Sequence, residues 1–229
     1  MPLTRVTISG ADDGVDVKEL EALSREFPFV EWGILLSHTR SGKQPRYPSP
    51  RWLTALEWLW GPEMKTALHV CGRAALEVMD KPARWLAHST FKRVQINGWA
   101  PGVANLDVLG RCAREHECEF ILQARSEDVL QAAAHEAMAI GSASVLFDPS
   151  GGRGIEAFQW PTAPLGARMG YAGGIKPETV LDVLAELGPR ADFWIDMESG
   201  VRDEHDRFDV GRVRAVLEAA APCVTVSND

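Results

Sequence analysis

The feature that most constrains the fold is a regular alternation of short apolar runs with helical periodicity. Eight runs rich in β-branched and aromatic residues have the length of strands, and helical patterns fill most of the intervals. A strand–helix–strand order of this kind predicts parallel βαβ units. The predicted strands are 5–9, 29–37, 65–70, 93–97, 119–124, 144–148, 168–173 and 192–197.

Six helical patterns have the 3.6-residue period, at 15–27, 49–60, 105–116, 126–140, 176–188 and 208–220. Ser126 suits a helix N-cap, Pro177 suits a first turn, and Gly188 with Pro189 suits a helix end. With no linker between the units, residues 1–229 are predicted to form a single α/β domain. The predicted fold is a (β/α)8 TIM barrel with a parallel eight-stranded core. An open doubly wound sheet is the alternative, but TISGADDG lacks the GxGxxG turn.

Composition and charge limit the partners. The formal net charge of −8 argues against a nucleic-acid surface. We find no basic-then-apolar leader and no apolar run of about 18 residues, so we expect a cytoplasmic protein that binds no membrane. The cysteines are too scattered for a disulfide scaffold. Cys112, His116 and Cys118 do not have zinc-ligand spacing, so neither a metal nor a cofactor is expected.

Glycines cluster at the predicted carboxyl ends of the last three strands. Bare backbone there lets N–H groups approach a ligand, and a following helix N-terminus favours an anion. We therefore predict a phosphate site, although each glycine pair alone would also fit a tight turn. The predicted phosphate-binding residues are Gly151, Gly152, Gly154, Gly173, Gly174, Ser199 and Gly200.

Two charged loops follow predicted strands. The loop 37–50 after the second strand carries Arg40, Lys43 and Arg46, and in a barrel it would lie on the substrate-binding face. A solvated surface loop is the alternative. The acidic stretch 203–206 after the eighth strand is expected to be a solvated loop.

Together the strand-end motifs resemble the phosphoribosylanthranilate isomerase family of tryptophan biosynthesis. The motifs are TISG, PRYPS, VQING, LFDPSGGRG with FQW, AGGIKPETV and IDMESGV, in chain order. The resemblance covers most of the chain and is most specific at the sixth and seventh strands. It implies an Amadori rearrangement of a phosphorylated ribosylamine. A general acid protonates the ring oxygen, and a general base removes the proton from the adjacent carbon.

The resemblance also implies roles for individual residues. Asp148 stands at the position of the general acid, with a capping role as the alternative. Arg46 corresponds to an arginine near the anthranilate carboxylate, and Asp196 to an aspartate facing the amine. Gln95 is expected to line the pocket, and Asn97 stands where the family has histidine.

The general base is where this chain departs from the family. Ser9 replaces the family's cysteine, and an unassisted hydroxyl cannot act as a base near neutrality, whereas a thiol with a pKa near ~8.5 can. Glu198 shares strand parity with Asp196 and is an alternative base. His69 and Cys71 at the end of the third strand are two more, and the sequence does not choose among them.

Three functions fit these observations. The first is an isomerase of the phosphoribosylanthranilate isomerase type. The second is an inactive barrel that binds a phosphorylated metabolite, and the third is a barrel enzyme with another acid–base reaction that uses Glu198. The expected ligand in each case is a phosphorylated small molecule. The sequence gives no indication of the oligomeric state.

Overall fold

The computed structural model describes residues 3–58, 61, 63–86, 91–151, 159–188, 190 and 192–225. Its sheet is a closed barrel in which each strand is parallel to both neighbours, in the order β1 to β8. This confirms the predicted fold class and excludes the open sheet. The strands are β1 Leu3–Ser9, β2 Val30–Leu36, β3 Lys65–Val70, β4 Arg93–Ile96, β5 Glu119–Ala124, β6 Ala143–Phe147, β7 Met169–Ala172 and β8 Phe193–Met197.

Helices accompany the strands but do not alternate with them one to one. Two helices lie between β3 and β4, and none of the described residues between β6 and β7 is helical. No helix in the described part of the chain is long and apolar enough to cross a membrane. The α-helices are α1 Val17–Glu26, α2 Pro50–Trp58, α3 Arg73–Asp80, α4 Pro82–Leu86, α5 Leu106–Glu115, α6 Glu127–Ile140, α7 Val180–Leu187 and α8 Val210–Ala220.

The predicted helix ends are correct except at the start of α7. Ser126 caps α6, and Gly188 caps the end of α7, while Pro189 lies outside the described residues. The prediction that Pro177 begins α7 was wrong, because that helix begins three residues later. The Thr179 hydroxyl donates to the carbonyl of Gly174 at 2.9 Å and accepts from the backbone N–H of residue 176 at 3.2 Å. These bonds hold the segment before α7 in a turn.

Strand periodicity divides the core into an outer and an inner part. Alternate strand residues such as Val6 and Ile8 are buried in the apolar layer that packs with the helices. The residues between them point into the barrel. A small apolar layer fills its middle and consists of Ile121, Leu146, Ala172 and Trp194.

The amino end of the barrel is closed by charged side chains, which we call the ionic floor: Arg5, Glu31, Arg93 and Glu119. Glu31 is 2% exposed and pairs with Arg93 at 2.7 Å and with Arg5 at 3.2 Å. Arg93 also pairs with Glu119 at 3.2 Å and lies 4.5 Å from the ring centroid of Trp194. The opposite charges compensate one another, which offsets the cost of burying Glu31 and Arg93 at this end of the barrel.

Candidate active site

A cavity of about 820 Å³ opens at the carboxyl end of the barrel. Its walls come from the strand ends and the loops that follow them, where barrels bring functional side chains together. Gly152 and Gly154 lie outside the described residues. All other predicted site residues line the cavity: Ser9, Arg46, Gln95, Asn97, Asp148, Gly151, Gly173, Gly174, Asp196, Glu198, Ser199 and Gly200.

Asp148 follows β6 and is held by four donors. Its Oδ1 accepts from the Ser150 hydroxyl at 2.7 Å and from the backbone N–H groups of Ser150 and Gly151 at 3.1 and 3.0 Å. Its Oδ2 accepts from Nε2 of Gln123 at 2.8 Å. Both oxygens are therefore acceptors, and the carboxylate caps the turn after β6 while it faces the cavity.

Asp196 lies in a different environment. It is 5% exposed, and the Ser9 hydroxyl donates to its Oδ1 at 2.9 Å. Burial is the largest cause that raises the pKa of Asp196 well above the usual value for an aspartate. The nearby carboxylates of Asp148 and Glu198 add to the rise, while the bond from Ser9 opposes it. Asp196 is thus the cavity carboxyl best suited to hold a proton.

His69 on β3 contacts Ser9 on β1, which in turn is bonded to Asp196 on β8. Its Nδ1 lies 3.4 Å from the Ser9 hydroxyl oxygen. Burial lowers the pKa of His69 to about 4, so the imidazole is neutral near pH 7. Gly33 on β2 makes this contact possible, because a β-carbon there would collide with Ser9 and with the His69 ring. The Ser9 hydroxyl directs its proton toward Asp196 and not toward the imidazole.

Glu198 forms an ion pair with Arg46, at 2.7 Å between Oε1 and Nη1. Burial raises the pKa of Glu198, and the hydrogen bond and charge of Arg46 oppose that rise. If Glu198 were the general base, the reaction would have to use a carboxylate that already forms an ion pair with Arg46.

The expectation of a solvated acidic loop after β8 was wrong at Asp206. Its carboxylate accepts from Nη2 of Arg46 at 2.7 Å and lies 2.9 Å from Nε of Arg202, which donates to the backbone carbonyl of Asp206. Arg202 is itself buried and pairs with Asp12 at 3.0 Å. Charge pairing across the loops after β1, β2 and β8 draws Asp206 to the cavity rim, and a local charge pattern cannot reveal such partners.

Polar side chains on β3 and β4 form a short chain of hydrogen bonds along the cavity wall. Gln95 donates to Asn97 at 2.8 Å, and Asn97 donates to Sγ of Cys71 at 3.1 Å. Burial raises the pKa of Cys71. This thiol is therefore poorly suited to replace the family's thiolate base near neutral pH.

The described glycines of the predicted phosphate site lie together on one side of the cavity. Gly151, Gly173 and Gly174 all have positive φ, at 61°, 118° and 69°, which glycine adopts without strain. Gly200 packs against the backbone of Ile175, where any β-carbon would collide. Because these glycines lack side chains, backbone atoms of the loops after β6, β7 and β8 line the cavity, and the N–H of Gly151 is bonded to Asp148.

Sequence reasoning missed Arg125, which follows β5 and also lines the cavity. Its guanidinium lies beside Gly151, with Cζ 3.0 Å from the position that a β-carbon on that glycine would occupy. Among the described residues it has no ion-pair partner. Strand parity could have found it, since Arg125 follows β5 directly, two residues after the inward-facing Gln123.

The three residues that were considered as zinc ligands lie at different positions around α5. Cys112 lies within α5, His116 caps the end of that helix, and Cys118 precedes β5. In the described ranges, no group of three or more His, Cys, Asp and Glu side chains is placed to hold a metal ion.

The closed parallel barrel with a polar cavity at its carboxyl ends places the chain among the (β/α)8 barrel proteins. No protein-family model matches the chain, and no curated protein matches it in sequence.

Among solved structures, the chain is similar to phosphoribosyl anthranilate isomerase from Thermus thermophilus, with 19% identity, a TM-score of 0.62, and coverage of 96% of this chain and 100% of that one. A phosphoribosyl anthranilate isomerase in complex with reduced 1-(o-carboxyphenylamino)-1-deoxyribulose 5-phosphate matches with 17% identity, a TM-score of 0.63, and 96% and 100% coverage. The chain is also similar to 3-hexulose-6-phosphate synthase from Salmonella typhimurium, with 15% identity, a TM-score of 0.60, and coverage of 96% of this chain and 99% of that one. At these identities the likeness shows the fold.

Proposed function

We propose that the chain is an isomerase of the phosphoribosylanthranilate isomerase type. It would convert a phosphorylated ribosylamine from its aldose to its ketose form by acid–base catalysis. The observation that carries this proposal is a pair of buried carboxyl groups, Asp148 and Asp196, with different surroundings on the walls of one cavity. The strand-end motifs and the fold shared with two isomerase structures support it.

The two carboxyl groups divide the proton transfers. In this proposal Asp196 is the proton donor, because burial favours its protonated form. Asp148 is the proton acceptor, because the surrounding donors leave both of its oxygens as acceptors. This assignment reverses the role that the resemblance implies for Asp148. Ser9 then serves to position Asp196.

The reaction balances with these two groups alone. Asp196 gives its proton to the ring oxygen as the C1–O bond breaks, and the amine lone pair forms a C=N bond. Asp148 takes the proton from C2, and the electrons of that C–H bond form an enolamine. The C2 hydroxyl proton then passes to Asp196 as the C2 carbonyl forms, and Asp148 gives its proton to C1, which yields the ketose and restores both carboxyl groups.

The phosphate of the substrate is placed on the glycine side of the cavity. Gly173 and Gly174 line the cavity without side chains, so an anion can approach their backbone closely, whereas the N–H of Gly151 is already bonded to Asp148. Arg125 beside Gly151 supplies a positive charge that no described carboxylate neutralises. The proposed ligand is therefore a phosphorylated small molecule whose phosphate lies between the loops after β5, β6 and β7.

The test is isomerisation of two substrates, phosphoribosylanthranilate and the corresponding phosphoribosylaniline, with aldose and ketose forms separated by chromatography. Asp148→Asn and Asp196→Asn should each lower kcat/KM by about 10²–10⁴-fold on whichever substrate is used. Asp182→Asn, an exposed carboxyl on α7, is the matched control and should leave activity unchanged. The wild-type rate should fall as pH rises through the raised pKa of Asp196.

Two results would overturn the proposal. If the wild-type protein isomerises neither substrate but binds the phosphorylated compounds, the inactive binding barrel is the better description. If Asp148→Asn and Asp196→Asn keep the activity of Asp182→Asn, the carboxyl pair does not carry the reaction.

A further inference from the structure

The guanidinium of Arg46 is almost fully engaged by the protein. Nη1 donates to Glu198 at 2.7 Å and to the Ser199 hydroxyl at 3.0 Å. Nε and Nη2 both donate to Asp206, at 3.1 and 2.7 Å to Oδ1. A guanidinium has five N–H donors, and these bonds use at least four of them.

The position of this arginine is also fixed by its backbone. Arg46 has φ 75°, and its N–H donates to Oδ2 of Asp12 at 2.6 Å. The same Asp12 oxygen accepts from Arg202 at 3.0 Å, and Arg202 contacts Asp206 in turn. The side chains of Arg46 and Glu198 are only 22% and 19% exposed. Little freedom is left for the guanidinium to turn toward a ligand.

The ion-pair network around Arg46 does not carry a positive surplus. Two arginines, Arg46 and Arg202, face three carboxylates, Asp12, Glu198 and Asp206. A ligand carboxylate that sought Arg46 would have to displace Glu198 or Asp206. The displaced carboxylate would then lose its ion-pair partner. For Glu198 this loss is costly, because its side chain is only 19% exposed.

The opposite side of the cavity differs in charge. Arg125 lies beside Gly151 and has no ion-pair partner in the part of the chain that the structure describes. Near the glycines the cavity thus has a cation without an ion-pair partner, whereas Arg46 is compensated by Glu198 and Asp206. Arg40, on the same loop as Arg46, also lines the cavity, and its exposed side chain donates to the Tyr47 hydroxyl at 2.9 Å.

We infer that the substrate is a phosphorylated ribosylamine whose amine substituent carries no carboxylate, because Glu198 and Asp206 already occupy Arg46. This inference rests on the proposed function and names the substrate class for the same site. Glu198 acts here as a specificity-determining residue that excludes acidic substituents.

Binding of two non-reacting ligands tests the inference independently of turnover. One is reduced 1-(o-carboxyphenylamino)-1-deoxyribulose 5-phosphate, and the other is its counterpart without the carboxyl group. Titration calorimetry on the wild-type protein should give a Kd at least about tenfold lower for the carboxyl-free compound. Glu198→Gln should narrow or reverse the ratio of the two Kd values by at least about tenfold, because the neutral amide no longer compensates the charge of Arg46.

Two further variants separate this effect from general damage. Asp206→Asn removes the second negative charge that compensates Arg46, so it should narrow the ratio of the two Kd values in the same direction. Because 45% of the Asp206 side chain is exposed, this variant is expected to fold. Glu178→Gln removes an exposed carboxylate that pairs with Arg212 and should keep the wild-type ratio.

Each outcome has a definite meaning. A wild-type protein that binds the carboxylated compound more tightly contradicts the inference, and it leaves the proposed function standing if turnover is observed. Equal ratios in wild type, Glu198→Gln and Asp206→Asn also contradict it. Binding of neither compound overturns the inference, while absence of turnover with the predicted binding ratio overturns only the proposed reaction.

Discussion

At the scale of single residues, Asp196 combines burial with the proximity of other carboxyl groups. Its pKa is raised in the folded protein, whereas in the unfolded chain it is near the ordinary ~3.9. Between these two values the native state binds more protons than the unfolded state. The free energy of unfolding therefore falls as pH rises through this range.

Asp196→Asn should remove this dependence, because the amide cannot ionise. We expect the variant to gain stability relative to wild type as pH rises from about 4 toward 8, measured by urea denaturation at several pH values. Asp182→Asn on the surface of α7 provides the comparison and should show no such gain. If the stability of Asp196→Asn relative to wild type stayed constant or decreased as pH rises, the raised pKa of Asp196 would be contradicted.

Which site residues could be predicted depends on how local their signals are. Asp148 and the glycines follow strands directly, so strand position alone brings them to the cavity. The pairing of Arg46 with Asp206 joins residues 160 positions apart and has no local signature. Arg46 therefore looked available for a ligand, whereas the folded chain supplies its counterions.

At the scale of secondary structure, the strands were predicted within two residues at each end because their apolar runs are buried on both faces. α3 and α4 were missed for a physical reason. Gly72 precedes α3 without a side-chain cap, and Pro82 begins a helix of only five residues. Neither helix combines an N-terminal capping side chain with enough length for a helical period to be recognised in the sequence.

Helix α8 has such a signal, and it can be tested. The Asp209 side chain accepts from the backbone N–H of Arg212 at 3.0 Å and caps the helix. Asp209→Ala should lower the free energy of unfolding by about 1 kcal/mol, measured by chemical denaturation.

The matched variant is Asp209→Asn, which keeps the accepting oxygen and should lose much less stability. If the alanine and asparagine variants were equally unstable, the contribution of Asp209 would come from its charge and not from capping.

At the scale of the whole molecule, the ionic floor ties four strands together at the end opposite the cavity. The pKa of Glu31 is lowered overall, because the charges of Arg93 and Arg5 and the bond from Thr7 outweigh burial. Glu31 therefore stabilises the fold above its ordinary pKa near ~4.3, and this contribution is lost as pH falls through the lowered value.

Arg93→Met should lower the free energy of unfolding by about 3–5 kcal/mol near pH 7, because it leaves Glu31 buried with only Arg5 as an ionic partner. The double variant Glu31→Gln with Arg93→Met should recover most of that loss. Chemical denaturation of the wild type and of both variants measures these differences in the free energy of unfolding. If the double variant were as unstable as Arg93→Met, Arg93 would stabilise the fold by packing and not by its charge.

The pairing of β1 with β8 closes the barrel, and it has a kinetic consequence. Seven strand pairs join neighbours along the chain, but this seam joins residues such as Thr4 and Phe193, which are 189 positions apart. Its contacts cost the most chain entropy to form, so we expect the seam to close late during folding. Until then β1 and β8 have unpaired edges through which partly folded chains can associate. The bond from Ser9 to Asp196 crosses the same seam, so the proposed proton donor is held in position only in chains that have completed folding.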